Sequence, residues 1–237
     1  MKTIGLIGGM SWESSLEYYR IINEAVKRKL GGLHSSKCIL FSVDFAEIEE
    51  LQTQGKWSEA ADHMIRAAKS LERAGAEFIV ICTNTMHKLA EDIRSGVNIP
   101  LLHIADAAAK PICAANFHTV GLLGTRYTME EDFYTRRLAE KHGLKVLIPD
   151  IADRGKINGI IFDELCLGIV KPESRDYYLD VIGKLAQAGA EGVILGCTEI
   201  ELLVRPEDTH IPLFPTTRLH AEAAVEYALN GVSDLVF

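Results

Sequence analysis

Four segments of this chain recur in the same order about 115 residues further on, and no other feature limits the fold as tightly. Thr3–Gly9 (TIGLIGG) returns as Thr119–Thr125 (TVGLLGT), displaced by 116 residues. Asp62–Glu77 returns as Asp176–Glu191, and Ala74–His87 (AGAEFIVICTNTMH) as Ala188–Glu201 (AGAEGVILGCTEIE), both displaced by 114. The tripeptide Ile99–Leu101 returns as Ile211–Leu213, displaced by 112. An ordered set at nearly constant spacing marks an internal duplication. Each copy alternates short apolar runs with stretches of helical spacing, the pattern of β/α units with parallel strands and right-handed crossovers. The expectation is an α/β protein of two pseudo-symmetric lobes, each an approximately four-stranded parallel sheet flanked by helices. The helices near Ala105–Ala115 and Thr217–Leu229 each follow the closing strand of one half and are expected to pack on the other. That assigns residues 1–103 with 216–237 to the first lobe and 104–215 to the second, with an active site in the cleft between them.

Charge and composition remove several function classes. A net charge of −8 with no basic run argues against nucleic acid and anionic membrane as partners. The first apolar stretch, after MKT, is too short for a signal peptide and reads as a strand. No run approaches a membrane span. Cys38, Cys82, Cys113, Cys166 and Cys197 are scattered, without a Cys-x-x-Cys pair, which suits reduced thiols in a cytoplasmic protein. No His/Asp spacing suggests a metal, and Gly5-Leu6-Ile7-Gly8-Gly9 lacks the dinucleotide fingerprint.

The chemistry is expected where the repeated strands end, because open α/β sheets bind ligands at strand carboxyl ends. Superposing the AGAE tetrads places Cys197 opposite Thr83, and Cys82 opposite Gly196. Two equivalent proton-handling groups on opposite walls suit 1,1-proton transfer, in which one removes a proton from carbon and the other returns one to the far face. Cys197 fits the first role, since a free thiol titrates near ~8.5 and lower at a helix N-terminus, which Thr198-Glu199 resembles. Thr83 does not fit as a base; its hydroxyl can orient water or relay a proton. Asn84, Thr85, Thr198 and the turn N–H groups can hold a carboxylate. Cys82 lies within the apolar run and reads as core; Cys38, Cys113 and Cys166 read as structural or surface. His87 and His103 read first as packing or capping residues, with ligand contact the alternative.

With those residues in view, the chain resembles the cofactor-independent aspartate/glutamate racemase family essentially end to end. The resemblance rests on Gly8–Ser15 (GGMSWESS), Ser42–Gln52 (SVDFAEIEELQ), Cys82–His87 (CTNTMH), Gly121–Met129 (GLLGTRYTM) and Gly196–Ile200 (GCTEI). It implies a cytoplasmic isomerase with no pyridoxal phosphate, no metal and no other cofactor, a small amino-acid substrate, and a homodimer. The family's two catalytic cysteines lie in Cys-Asn-Thr and Gly-Cys-Thr motifs. The second matches at Cys197, but the first has Thr83 where the cysteine belongs. Cys82 is one residue out of register, and a one-residue slip on a strand turns a side chain to the other face. By resemblance, Cys197 takes the α-proton of L substrates, so L isomers are favoured. The substrate contacts carried over are Met10, Gln52, Asn84, Thr85, Thr125 and Thr198. No cation is a clear match for a side-chain carboxylate; Arg126 and Lys171 are the nearest in sequence. Two other readings remain: a one-cysteine decarboxylase or isomerase of similar architecture, and a non-catalytic amino-acid sensor.

Overall fold

In the computed structural model, which describes residues 1–231, β1 (Ile4–Gly8) is buried along its whole length. A central strand of a parallel sheet is covered on both faces and so reads as an unbroken apolar run. It pairs in parallel with β2 (Cys38–Ser42) and β3 (Phe78–Ile81), and β3 pairs with β4 (Leu101–Leu102), giving the order β2-β1-β3-β4. The crossovers carry α1 (Trp12–Leu30), α2 (Phe45–Thr53), α3 (Trp57–Arg73), a 3-10 turn at Thr85–Leu89 and α4 (Ala90–Gly96). Then α5 (Ile104–Ala114) leads to a second sheet of β5 (Thr119–Gly124), β6 (Lys145–Leu147), β7 (Gly192–Gly196) and β8 (Leu213–Pro215). Its order is β6-β5-β7-β8, again wholly parallel. Its helices are α6 (Arg126–Glu130), α7 (Asp132–His142), α8 (Ile151–Asp163), α9 (Pro172–Gln187) and α10 (Ile200–Leu203), and α11 (Thr216–Asn230) follows β8.

The chain divides into two compact units, Met1–Ile104 with the segment from Thr217 onward, and Ala105–Thr216. The last residues assigned from sequence to the first lobe, 232–237, lie outside the described residues. In the first unit, alternate strand residues face opposite ways, as pleating requires. Ile4, Leu6, Phe78 and Val80 pack with Tyr18, Ile21, Ile22, Ala25 and Val26 of α1. Ile7, Ile79 and Ile81 pack with Met64, Ala67 and Leu71 of α3 on the other face. Although α11 follows β8, its Ala221, Ala224, Val225, Tyr227 and Ala228 complete the α1-side core of the first unit. Burying a side chain such as Val225 contributes about 1.5–3 kcal/mol and each alanine methyl roughly 0.8 kcal/mol, which is what holds α11 to a sheet distant in sequence.

In the second unit, Leu123, Val193 and Leu195 join Ile157, Ile161, Tyr178, Val181, Ile182 and Leu185 of α8 and α9. Asp106, on the Ala-rich α5, is completely buried yet bonded by Arg137 at 2.8 and 2.7 Å, Lys141 at 2.7 Å and His142 at 2.8 Å, all from α7. Burial acts to raise the Asp106 carboxyl, but the hydrogen bonds from Arg137, Lys141 and His142 and the charge of Arg137 outweigh it and hold it below the ordinary carboxylate range.

The closing strand of the first half, β4, spans only Leu101–Leu102. Pro100 has no N–H to donate, though its carbonyl still accepts from Ile79 N–H at 2.8 Å. Ile104 has already entered α5.

Candidate functional site

The strand registers preserve the equivalence read from the repeats. Ile7 pairs with Ile81 across β1 and β3, and its counterpart Leu123 pairs with Leu195 across β5 and β7. Thr83 lies two residues beyond Ile81, as Cys197 lies two beyond Leu195. Each residue therefore begins the turn at the carboxyl end of the inner strand of its own sheet.

In the first unit, Gly8 and Gly9 turn the chain from β1 into α1. Gly9 has φ +91°, and a Cβ there would stand 2.2 Å from the Val43 carbonyl oxygen, so this turn admits only glycine. Ser15 Oγ accepts from Gly9 N–H at 2.8 Å and donates to Ser11 O at 3.0 Å, while Ser11 caps α1 by accepting from Ser14 N–H at 3.3 Å. The turn buries Met10 in the cluster that holds Ile48 and Met86. Gln52 is buried, and its Nε2 donates to Met86 Sδ at 3.0 Å. Asn84 and Thr85 are buried in the turn after β3. Thr83 is partly exposed, and its hydroxyl has no hydrogen-bond partner among the described residues. Met10, Gln52, Asn84 and Thr85 are thus gathered on the Thr83 end of the first sheet. Cys82 packs in the α1-side core, and burial, then Cys38, pushes its thiol far above the ordinary range.

In the second unit, Gly124 pairs with Gly196, and a Cβ on Gly124 would stand 2.8 Å from the Gly196 carbonyl. The two glycines bring the ends of β5 and β7, and with them Thr125 and Cys197, close together. Thr125 Oγ1 caps α6 by accepting from Thr128 N–H at 3.3 Å. Cys197 and Thr198 are buried, and Cys197 Sγ donates to Glu199 Oε2 at 3.0 Å.

That contact corrects the expectation for the thiol. Burial pushes Cys197 well above the ordinary cysteine value, and the charges of Glu199 and Cys166 and the bond to Glu199 push it further. The expected helix-terminus field does not offset this, because α10 begins only at Ile200 and spans four residues. Cys197 therefore rests as a thiol hydrogen-bonded to the Glu199 side chain. The sequence, read alone, does not pair Glu199 with Cys197, although Glu199 stands inside the Gly-Cys-Thr-Glu string.

The cations behave as follows. Arg126 is exposed, and its backbone N–H donates to Asn158 Oδ1 at 2.9 Å. Lys171 bonds Glu164 at 3.0 Å and, with Arg175 and Arg205, lines a cavity of about 360 Å³ that also includes Leu203 of α10. Among the described residues no group of three or more His, Cys, Asp or Glu is placed to hold a metal, and no helix is long and apolar enough to cross a membrane.

Comparison with known proteins gives matches along most of the chain. The family model described as Asp/Glu/Hydantoin racemase matches residues 7–224. A Yersinia pestis protein assigned as an Asp/Glu racemase has a crystal structure similar to this one, with 58% identity, a TM-score of 0.91, and coverage of 97% of this chain and 100% of that one. The structure of an aspartate racemase homologue from Pyrococcus horikoshii OT3 is 36% identical with a TM-score of 0.84, covering 97% of this chain and 100% of its own. The broad specificity amino-acid racemase RacX of Bacillus subtilis is 24% identical over 166 residues, 68% of this chain and 69% of that protein. The chain spans about half the length of the glutamate racemases it matches, 48% of the one from Deinococcus radiodurans.

Proposed function

This chain belongs to the Asp/Glu/Hydantoin racemase family, and on that footing we propose that it is an amino-acid racemase that moves the α-proton of acidic or short polar amino acids without a cofactor. The observation that carries the reading is the buried thiol of Cys197 hydrogen-bonded to Glu199 at 3.0 Å. Cys197 first passes its proton to the Glu199 carboxylate. The thiolate then takes the α-proton from the L face of the substrate, and the electron pair left on Cα spreads into the α-carboxylate. Asn84, Thr85, Thr198 and the N–H groups of the two turns hold that carboxylate. Such preorganised donors act most strongly where water is excluded. On the opposite face, the uncommitted Thr83 hydroxyl delivers a proton to Cα and regains one from water, while Glu199 releases its proton to water. The D enantiomer leaves, with Cys197 again a thiol.

The two faces are chemically unequal, so L substrates exchange their α-proton faster than D substrates. Enantiomers have equal free energies in water, so complete inversion must be equally efficient in both directions. The preference for L therefore appears as exchange that outruns inversion.

Proton NMR in D₂O tests the proposal, with L- and D-aspartate, glutamate and homoserine each added to the protein and chiral chromatography on the same samples. Loss of the α-proton signal from an L substrate, with its D isomer accumulating, is the expected result. A folded protein that exchanges no α-proton from any of the six would overturn it.

A further inference from the structure

We infer that His87 is a positioning residue for the second face of the reaction: its ring fixes the carbonyl of Thr83 and so sets where the Thr83 hydroxyl points. The inference rests on the racemase reading above.

His87 lies four residues past Thr83, in the 3-10 turn Thr85–Leu89, and is almost wholly buried. Its Nδ1 stands 2.8 Å from the Thr83 carbonyl oxygen, and its Nε2 accepts the Ile104 N–H at 3.2 Å. A backbone amide only donates, so Nε2 is the unprotonated nitrogen. Nδ1 then carries the proton and donates it to Thr83 O. One neutral ring, in a tautomer dictated by its partners, thus ties the end of β3 to the first residue of α5. The expectation that His87 caps or packs describes half of this arrangement, the Ile104 bond.

The ring is itself held. The His103 and His220 rings lie edge-on to it, with centroids at 4.6 and 5.6 Å. His220, on α11, is fixed at both nitrogens. Its Nδ1 accepts from the Tyr18 hydroxyl at 2.8 Å, and its Nε2 donates to the Leu102 carbonyl at 3.0 Å. Tyr18 and His220 are completely buried. The Thr83 turn is therefore braced by α1, β4 and α11 through a chain of polar contacts in a region where a displaced polar group has no water to turn to. All of these contacts reach Thr83 through its backbone, which leaves its hydroxyl uncommitted for the substrate. Displacing a reacting group by about 1 Å can cost on the order of 10²-fold in rate, which is why a ring that touches no substrate matters.

The test compares H87N with H87Q. A side-chain amide nitrogen in Asn falls near the place of Nδ1 and can still donate to Thr83 O, whereas in Gln it falls near Nε2 and cannot. Both variants are checked for folding by thermal melting. Exchange of the α-proton from the L substrate and inversion are then measured separately. We expect H87Q to keep L-side exchange within about twofold while inversion falls at least about tenfold, and H87N to keep inversion within about threefold. Nitrogen-15 NMR of the parent protein should show His87 protonated at Nδ1. Inversion retained by H87Q, or exchange and inversion lost together in both variants, would overturn the inference. T83A separates the two levels of argument. If T83A inverts normally, the reading of Thr83 is wrong and this inference goes with it. If T83A abolishes inversion and H87Q does not, only the role of His87 is wrong.

Discussion

Replacing Glu199 by Gln keeps the side-chain shape and removes both a negative charge and a proton acceptor. The two losses act in opposite directions on Cys197. Without the carboxylate, one of the influences that raise the thiol is gone and it becomes more acidic. Burial, the largest influence, remains, so the thiol stays above the ordinary ~8.5. Even a thiol at ~8.5 would be only about one-tenth thiolate near pH 7.5. The loss of the acceptor is larger, because a positioned general base contributes about 10²–10⁴-fold, equivalent to roughly 3–5 kcal/mol of barrier. L-side exchange in E199Q is therefore expected to fall at least about 10²-fold near neutral pH. The rate should then climb about tenfold per pH unit, because thiolate must now form by loss of a proton to solvent. The assay is α-proton exchange in D₂O followed by NMR between pH 6 and 9 in both proteins, with thermal melts to confirm folding. A folded E199Q that exchanges within threefold of the parent at neutral pH would show that the contact at 3.0 Å is structural and that Glu199 accepts no proton.

Three further outcomes follow from the geometry. T83C places a second thiol at the position equivalent to Cys197, so α-proton exchange from D substrates should rise; unchanged exchange and inversion would refute the equivalence of the two strand ends. D106N removes the anion facing Arg137, Lys141 and His142, and should cost about 3 kcal/mol in denaturant unfolding, the lower end for a broken buried pair because Arg137 and Lys141 reach solvent. Because the folded-state value of Asp106 is depressed, its contribution is fully present above the unfolded value of about 3.9 and is lost as pH falls through the lower folded value. The parent should therefore lose its advantage over D106N only in strong acid, and a difference unchanged at low pH would contradict this. G9A forces a side chain into a positive-φ turn against Val43 O and should destabilise by at least about 2 kcal/mol; an unchanged melting temperature would refute the stated constraint.

Much of the architecture is legible in the chain itself, because hydrophobic patterning and turn chemistry are local. The recurrence of TIGLIGG as TVGLLGT and the two AGAE segments foretell two four-stranded parallel sheets. Two-residue pleating then assigns Cys82 to the core and Thr83 to the strand end. The Gly-Cys-Thr-Glu string singles out Cys197 as the thiol at the end of the second repeat.

The protonation of that thiol is another matter. The same Cys-Thr-Glu string at the start of a long, solvated helix would make an acidic thiol; buried beside Glu199 and ahead of a four-residue helix, it makes the opposite. The identity of a titrating group is written in the sequence, but its charge state depends on desolvation and on neighbours that only folding supplies. Asp106 illustrates the same division. In an Ala-rich segment it is one acidic residue, and its three partners arrive from a helix some 31 to 36 residues away. His87 does so too, since its partner Ile104 and the rings of His103 and His220 come together only when β4 and α11 close on the first sheet. Local sequence determined where the strands and their reactive ends fall; tertiary structure decided which proton each group carries, because that is a free-energy difference set by long-range contacts and the exclusion of water.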